Sequence, residues 1–142
     1  MEQTTNQKGL ITELKIQLAF TDLGYNVCIP LNSDSRYDCI ADIDGRLIRI
    51  QIKTSRESKK TTNAFTFNCK SVKSGSYGHK TLTYSSNDVD FFGTVWNDKV
   101  YLVPVSECST EKTLHLAPKG EKPVKNWAYA EDYLIQEVLK RL

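Results

Sequence analysis

The stretch RYDCIADIDGRLIRIQIKTSR, residues 36–56, decides the predicted fold of this chain. Residues 37–43 and 46–53 are two alternating runs rich in β-branched residues, a pattern that predicts two strands. Asp44-Gly45 stands between them and suits a two-residue type I′ turn, in which both central residues take positive φ. The sequence therefore predicts an antiparallel β-hairpin.

Three polar residues are predicted to meet at one end of this hairpin. Asp38 lies near the start of the first strand, and Gln51 and Lys53 lie near the end of the second. Because the strands run in opposite directions, these ends are adjacent, and residues two apart share a face. A carboxylate, an amide oxygen and an amine in one patch suit a divalent cation and a phosphate better than a core.

The spacing of these residues resembles that of the PD-(D/E)XK nucleases, in which an Asp precedes an acidic-x-Lys motif on the next strand of a hairpin. Gln51-Ile52-Lys53 has Gln at the usually acidic position, and Tyr37 stands where the motif has Pro. A QxK motif is typical of one branch, the bacterial group I intron homing endonucleases. KGLITELKIQLAFTDLGYNV resembles their leading helix, and VDFFGTVW and VYLVPV resemble their later strands. The resemblance extends over about residues 8–142.

The resemblance implies a catalytic set and a Mg²⁺ site. The catalytic residues it implies are Glu13, Asp38, Gln51 and Lys53. The implied oxygen ligands are Asp38, Gln51, the Ile52 carbonyl and, through water, Glu13. Lys53 either orients the attacking water or stabilises charge on the phosphate, and the sequence does not separate these roles. Because Gln51 is uncharged, a second metal ion is expected to bind less well. From the residues alone, Glu13 fits a surface position better than a functional one, and the resemblance reverses that preference.

Basic residues are concentrated beside the predicted site. Residues 46–80 contain nine Lys and Arg and one acid, a charge of +8, so the rest of a +2 chain carries −6. Such a block favours double-stranded DNA as partner, although a solvated basic loop is the alternative. Residues 70–80 are predicted to form a mobile loop. The residues expected to contact DNA are Arg56, Lys59, Lys60, Lys70, Lys73, Tyr77, His79 and Lys80. Tyr77 and His79 also fit plain surface positions at a loop tip.

Composition and patterning indicate a single soluble domain, residues 1–142. Apolar content is 39% and charged content 25%, and no run is long enough to cross a membrane. The polar N-terminus lacks an apolar signal region, so we expect a cytoplasmic protein. The four cysteines are widely spaced, which disfavours a zinc site or a disulfide and favours small buried side chains.

The order of predicted elements indicates an α/β fold with a mixed β-sheet flanked by helices, as in PD-(D/E)XK nucleases. A first helix begins near Thr4 and ends at Gly24, with Leu10, Leu14 and Leu18 on its buried face, which Ala19, Phe20 and Leu23 extend. A last helix is predicted from Asn126 to the C-terminus. Strands are expected at residues 26–30, 64–69, 89–96, 100–105 and 113–116.

The function predicted from these features is Mg²⁺-dependent, site-specific DNA cleavage, as by an intron-encoded homing endonuclease. The alternatives are a Holliday-junction resolvase, a restriction-type nuclease and a catalytically silent nuclease fold that binds DNA or protein. Because one site cuts one strand, we expect a homodimer at least, and the resemblance favours a homotetramer. The apolar residues expected at its interfaces are Phe91, Phe92, Trp96, Trp127, Tyr129 and Tyr133.

Overall fold

The computed structural model describes residues 1–75 and 78–142, and the side chains of those residues except 72–75. Helix α1 spans Thr5–Asp22 and helix α2 spans Ile135–Lys140, with short 3₁₀ helices at Val105–Glu107 and Ala130–Tyr133. Ten strands are described: β1 Asn26–Cys28, β2 Cys39–Ile43, β3 Arg46–Ile52, β4 Arg56–Glu57, β5 Ala64–Asn68, β6 Ser71–Gly75, β7 Gly78–Leu82, β8 Phe91–Trp96, β9 Lys99–Pro104 and β10 Glu111–His115.

The central sheet is mixed, as the sequence predicted. Its strand order is β1-β2-β3-β8-β9, in which only the β3–β8 pair is parallel. Strands β10-β5-β4 form a second, antiparallel sheet, and β6 and β7 form a two-stranded ribbon. One core lies between the central sheet and the two helices. A second core, which includes Phe65, Phe67 and Phe92, joins the central sheet to the second sheet.

The central β2–β3 hairpin is confirmed. Cys39 pairs with Ile50 and Ile43 with Arg46 in an unbroken antiparallel register. Asp44 and Gly45 have φ of 54° and 94°, as a type I′ turn requires. The Asp42 carboxylate also accepts a hydrogen bond of 2.7 Å from the Gly45 amide. Local turn chemistry therefore fixes which residues face each other across the two strands.

Hydrogen bonds between Arg49 and Asp90 stabilise the parallel pairing of β3 with β8. The Asp90 carboxylate accepts hydrogen bonds from the Arg49 backbone amide at 2.8 Å and from its Nε at 3.2 Å. The Asp90 amide in turn donates to the Arg49 carbonyl at 2.9 Å. Further along, the Lys53 amide donates to the Gly93 carbonyl at 2.9 Å. These bonds hold the C-terminal end of β3 against β8.

Helix α1 begins as predicted but buries a different face. Thr4 caps it, with the Thr4 side chain and Gln7 forming a capping box. The prediction that Leu10, Leu14 and Leu18 are buried is wrong: they are 52%, 53% and 58% exposed. The buried residues Thr12, Ile16 and Phe20 have the same four-residue spacing.

Gly93 on β8 gives the physical reason for the choice of face. A Cβ on Gly93 would lie 3.2 Å from Ile16 Cδ1 and 3.1 Å from Ile50 Cγ2. The missing side chain thus leaves the space into which Ile16 packs against the sheet. The two stripes of α1 are alike in period, so the sheet and not the helix decides between them.

Two further sequence predictions are corrected. Residues 70–80 were expected to form a mobile loop, but β6 and β7 pair in register from Ser71 with Leu82 to Gly75 with Gly78. Such a ribbon needs main-chain hydrogen bonds and no apolar face of its own. The last helix is also much shorter than predicted, because Tyr129 and Leu134 both have extended backbone, which separates a 3₁₀ turn from α2.

Other features of the described residues complete the fold. Cys39 and Cys69 are buried as expected, whereas Cys28 on the edge strand β1 is exposed. All four cysteines are free thiols. No helix among residues 1–75 and 78–142 is long and apolar enough to cross a bilayer.

We expect Asp90→Ala to lower the free energy of unfolding by about 1–2 kcal/mol, because Arg49 loses its partner at a half-exposed site. Arg49 holds the pKa of Asp90 below its usual range against the opposing effect of burial. The stability from this pair is therefore present near neutral pH and is lost as the pH falls through the lowered pKa. Urea unfolding at pH 7 and pH 3 measures both effects. A Lys15→Ala control, within helix α1, removes the exposed Lys15–Asp98 pair without touching the left-handed backbone at Asp98, and equal losses in the two variants would contradict the assignment.

Candidate active site

Asp38 is held against the backbone of β3. Its amide donates to the Ile50 carbonyl at 2.8 Å, and its Oδ2 accepts from the Ile52 amide at 2.7 Å. Strand β2 begins at Cys39, which pairs with Ile50, and Asp38 directly precedes it. Its two hydrogen bonds hold Asp38 beside Ile50 and Ile52, the residues on either side of Gln51. The hairpin therefore places Asp38 at the end of β3 that carries Gln51.

Lys53 lies immediately beyond β3, in a pocket of polar and aromatic groups. Its Nζ donates to Ser71 Oγ at 3.1 Å and to the Lys70 carbonyl at 3.4 Å, and it lies 5.2 Å from the ring centroid of Tyr84. Burial lowers the pKa of Lys53, the nearby Asp38 charge opposes this, and the Arg36 charge adds to it. The ammonium group is thus fixed within electrostatic range of Asp38.

Glu13 approaches the same site from α1. Burial raises the pKa of the Glu13 carboxyl, and the negative charge of Asp38 raises it further. Burial likewise raises the pKa of Asp38, while the Ile52 hydrogen bond and the Lys53 charge lower it. Two carboxyl groups that disfavour each other's ionisation form a site whose electrostatics a bound cation would relieve.

The donor set at this site is made of hard oxygens. Within residues 1–75 and 78–142, no cluster of three His, Cys, Asp or Glu side chains could hold a metal ion. The candidate ligands are instead two carboxylates, an amide and the backbone carbonyl of Ile52. Such mixed oxygen sets suit Mg²⁺, which keeps several waters and takes few protein ligands. The residues present therefore fit a magnesium ion.

A groove of about 370 Å³ opens beside these residues. Glu13 and Gln17 line it from α1, Asp38 and Tyr37 line it from the hairpin, and residues 29–33 form its outer wall. The carboxylates are thus accessible from solvent on the side where a polymer could lie.

Comparisons with known proteins agree with this geometry. Residues 3–136 match the family model described as PD-(D/E)XK endonuclease. The chain belongs to the PD-(D/E)XK endonuclease family. It is 27% identical over 117 residues to protein 5.3 of Escherichia phage T7, across 82% of this chain and 93% of that protein. Its fold is similar to that of the bacterial homing endonuclease I-Ssp6803I, with a TM-score of 0.77 and 23% identity over 98% of this chain and 95% of that one.

The family assignment confirms the predicted superfamily and makes this chain a DNA endonuclease, an enzyme that hydrolyses phosphodiester bonds. The architecture predicted for such a nuclease, a mixed sheet flanked by helices, is likewise confirmed. The roles predicted for individual residues remain predictions that rest on the site described above.

Sequence reasoning missed three residues that surround Lys53 in this nuclease. Arg36 lies over the ring of Tyr84, with its guanidinium carbon 4.1 Å from the ring centroid. Tyr84 and Ser71 share a short hydroxyl–hydroxyl hydrogen bond. Arg36 stands two residues before Asp38, within the stretch that carries the hairpin. Ser71 and Tyr84 reach Lys53 through tertiary packing that no local pattern encodes.

The predicted DNA-contacting residues are distributed unevenly. Lys59 and Lys60 are exposed and line a groove of about 210 Å³ together with Arg56. The Arg56 guanidinium forms an ion pair with Glu111, with 3.4 Å between nitrogen and carboxylate oxygen. His79 and Lys80 are exposed on β7, and Lys70 is half-buried with its carbonyl bonded to Lys53. The side chain of Lys73 and all of Tyr77 lie outside the described residues.

We expect Gln51→Glu to bind Mg²⁺ or Ca²⁺ roughly tenfold more tightly, because it adds a charged oxygen ligand at the end of β3 that holds Asp38. Isothermal titration calorimetry of the DNA-free protein measures the affinity. Gln17→Glu is the matched control, since it adds the same charge on the α1 side of the groove. Equal affinities in the two variants would mean that Gln51 is not a ligand position.

Proposed function

We propose that this nuclease is a Mg²⁺-dependent, site-specific endonuclease of double-stranded DNA that acts in the cytoplasm as one domain, in the manner of an intron-encoded homing enzyme. The observation that carries the proposal is the fixed Asp38 carboxylate, with Lys53 and Glu13 gathered around it. The Gln at the usually acidic motif position and the fold shared with a bacterial homing endonuclease support the homing role.

Each of the four predicted catalytic residues has its own role, set by the chemistry of its side chain. Asp38 is the principal charged ligand, and Gln51 and the Ile52 carbonyl add neutral oxygens. Glu13 supplies the negative charge that Gln51 lacks and acts through water, as its place on the opposite wall of the groove suits. A bound Mg²⁺ supplies Lewis-acid polarisation of the phosphodiester and neutralises the leaving oxyanion.

Lys53 acts on the attacking water and on the phosphate. Ser71 and the Lys70 carbonyl accept hydrogen bonds from its ammonium group, which leaves donor capacity for a substrate oxygen. Its pre-set position means that little reorganisation is needed when charge develops on the phosphate. Arg36 and Lys53 lie 4.1 Å and 5.2 Å from the ring centroid of Tyr84, and cation–π attraction helps to hold both cations there.

The basic segment binds the DNA backbone on this proposal. Lys59 and Lys60 are exposed at the groove that borders β4, and Lys80 and His79 are exposed on the β6–β7 ribbon. Arg49 contributes less to this surface, because it pairs with Asp90. Arg56 likewise has an acidic neighbour in Glu111. Phosphate contacts of this kind set the register of a duplex without reading its sequence.

Asp38→Asn tests the proposed function. We expect it to lower Mg²⁺-dependent cleavage at least about 100-fold, since it removes the charged ligand and little packing. DNA binding measured with Ca²⁺ should stay near the wild-type value. Supercoiled plasmid and a four-way junction, digested side by side, also separate a duplex endonuclease from a junction resolvase.

Asp44→Asn is the control for this test. It makes the same chemical change at the hairpin turn, where Asn tolerates the φ of 54°. Cleavage by Asp38→Asn at the rate of Asp44→Asn would contradict the assignment of the site.

We also propose that the nuclease is a homo-oligomer, a homodimer at least and a homotetramer in the complete enzyme. The residues predicted for its interfaces need correction. Phe91, Phe92 and Tyr129 are at most 7% exposed and belong to the cores of the monomer. Trp96 stacks on Phe65, and the Tyr133 hydroxyl donates to Glu107. Of the six residues, Trp127 alone is classed as exposed.

The leucine stripe of α1, formed by Leu10, Leu14 and Leu18, is the better surface for a second copy. Each is more than half exposed, and the three lie along one face of the helix. Lys8 and Asp22 are exposed seven residues to either side of Lys15, on the same flank of the stripe. In an antiparallel pair of α1 helices centred on position 15, Lys8 of one copy lies beside Asp22 of the other, and the two Lys15 side chains meet at the axis, each paired with Asp98 of its own chain. This contact forms a dimer, and a tetramer needs a second one.

Leu14→Lys at the centre of the stripe tests this surface. We expect it to halve the mass in light scattering, from a tetramer to a dimer or from a dimer to the 16.2 kDa chain, because a charge at a two-fold contact is desolvated twice. Leu47→Lys is the control, at a leucine that is 61% exposed on β3. A wild-type mass near 16.2 kDa across micromolar concentrations would refute self-association without DNA.

A further inference from the structure

The outer wall of the active-site groove is apolar and protrudes. Ile29, Pro30 and Leu31 form it, and Ile29 is 57% exposed while Leu31 is fully exposed at 106%. No other large apolar side chain of the described residues, apart from the first methionine, is as exposed as Leu31. The protein thus places its most exposed internal leucine on the rim of the groove that holds Asp38.

The segment is presented by ordered backbone on both sides. Strand β1 pairs with β2 up to Cys28, one residue before Ile29. After Leu31, the Asn32 side chain accepts a hydrogen bond of 2.9 Å from the Asp34 amide, and its carbonyl accepts one of 3.4 Å from Ser35. Pro30 restricts the chain between these two anchors. Leu31 is therefore held outwards by its neighbours and does not fold back onto the protein.

The groove constrains what part of a substrate can touch this wall. Its lining residues include the acids Glu13 and Asp38 and no Lys or Arg. A phosphate is attracted here only at the metal ligands, because neither Lys53 nor the basic segment lines this groove. The apolar wall at Ile29 and Leu31 therefore suits contact with the sugar and base of a nucleotide and not with its phosphate.

We propose that Leu31 is a wedge that enters the minor groove of duplex DNA next to the scissile phosphate and partly unstacks the adjacent base pairs, with Ile29 packed on the sugar. This inference rests on the proposed DNA endonuclease function. Apolar wedges of this kind insert from the minor groove and kink the duplex. Kinking at the site of chemistry brings the phosphate down to the metal ligands at the groove floor.

The wedge also gives the nuclease a way to select sequence without hydrogen bonds to bases. Pyrimidine–purine steps unstack most easily, so a wedge next to the scissile phosphate favours cleavage at such steps. The preference arises from the deformability of the DNA and is independent of the phosphate contacts made by Lys59 and Lys60. Substitutions at the wedge and at the basic segment should therefore change different measured quantities.

Permanganate footprinting, which oxidises unstacked thymines, tests the proposal. The probe is a duplex containing a cleavage position mapped from wild-type product ends, bound with Ca²⁺ to suppress cutting. We expect wild-type protein to raise the reactivity of a thymine beside the scissile phosphate about fivefold and Leu31→Ala to abolish the rise. Because Leu31 is fully exposed, the Ala variant keeps the fold.

Two controls define the outcomes. Leu47→Ala removes another exposed leucine, which is 61% exposed on β3 and away from the groove, and should keep the wild-type footprint. Lys59→Gln with Lys60→Gln should keep the footprint while lowering the salt dependence of binding by about two units of slope. The wedge is overturned if Leu31→Ala keeps the footprint, or if it changes the oligomer mass instead. A wild-type protein that cuts no DNA overturns the proposed function as well, whereas cleavage without thymine reactivity overturns the wedge alone.

Discussion

The hydrogen bond from the Ile52 amide to Asp38 Oδ2 is the interaction on which the active site depends. It exists because the Asp44-Gly45 turn sets the register of β2 and β3, so that Asp38, just before β2, reaches the Ile50 carbonyl and the Ile52 amide at the end of β3. A slip of one residue in that register would move every side chain of one strand to the other face. Lys53 would then move away from Asp38 and would also lose its hydrogen bond to Ser71. The hairpin turn is thus as much part of the catalytic design as the carboxylate.

Much of the fold follows from local sequence, and the failures share one cause. Short local segments of sequence encode three features: the hairpin, the capping box at Thr4 and the strands on either side of Asn97-Asp98. The buried face of α1 is not, because two stripes of equal period compete and Gly93, far along the chain, decides between them. The β6–β7 ribbon was missed because its stability comes from main-chain pairing, which leaves no apolar pattern to read.

The residues of the candidate active site likewise fall into those that local sequence predicts and those that only the tertiary structure brings to the site. Asp38, Gln51 and Lys53 could be found from spacing, since one hairpin carries them all. Glu13 required the family pattern, because helix α1 brings it to the site across a tertiary contact. Ser71, Tyr84 and the wedge at Leu31 had no sequence signal at all. Their significance lies in where packing puts them: two hold Lys53, and the third stands exposed at the mouth of the groove.

The central claim is that the end of the hairpin is a metal centre built from Asp38, Gln51 and the Ile52 carbonyl. Anomalous diffraction from crystals soaked in Mn²⁺, a scattering substitute for Mg²⁺, tests it most directly. The account predicts a peak about 2.1–2.3 Å from an Asp38 oxygen, with the Ile52 carbonyl and Gln51 Oε1 as further ligands, and no such peak in Asp38→Asn crystals. A peak away from Asp38, or one that survives the Asn substitution, would contradict the account.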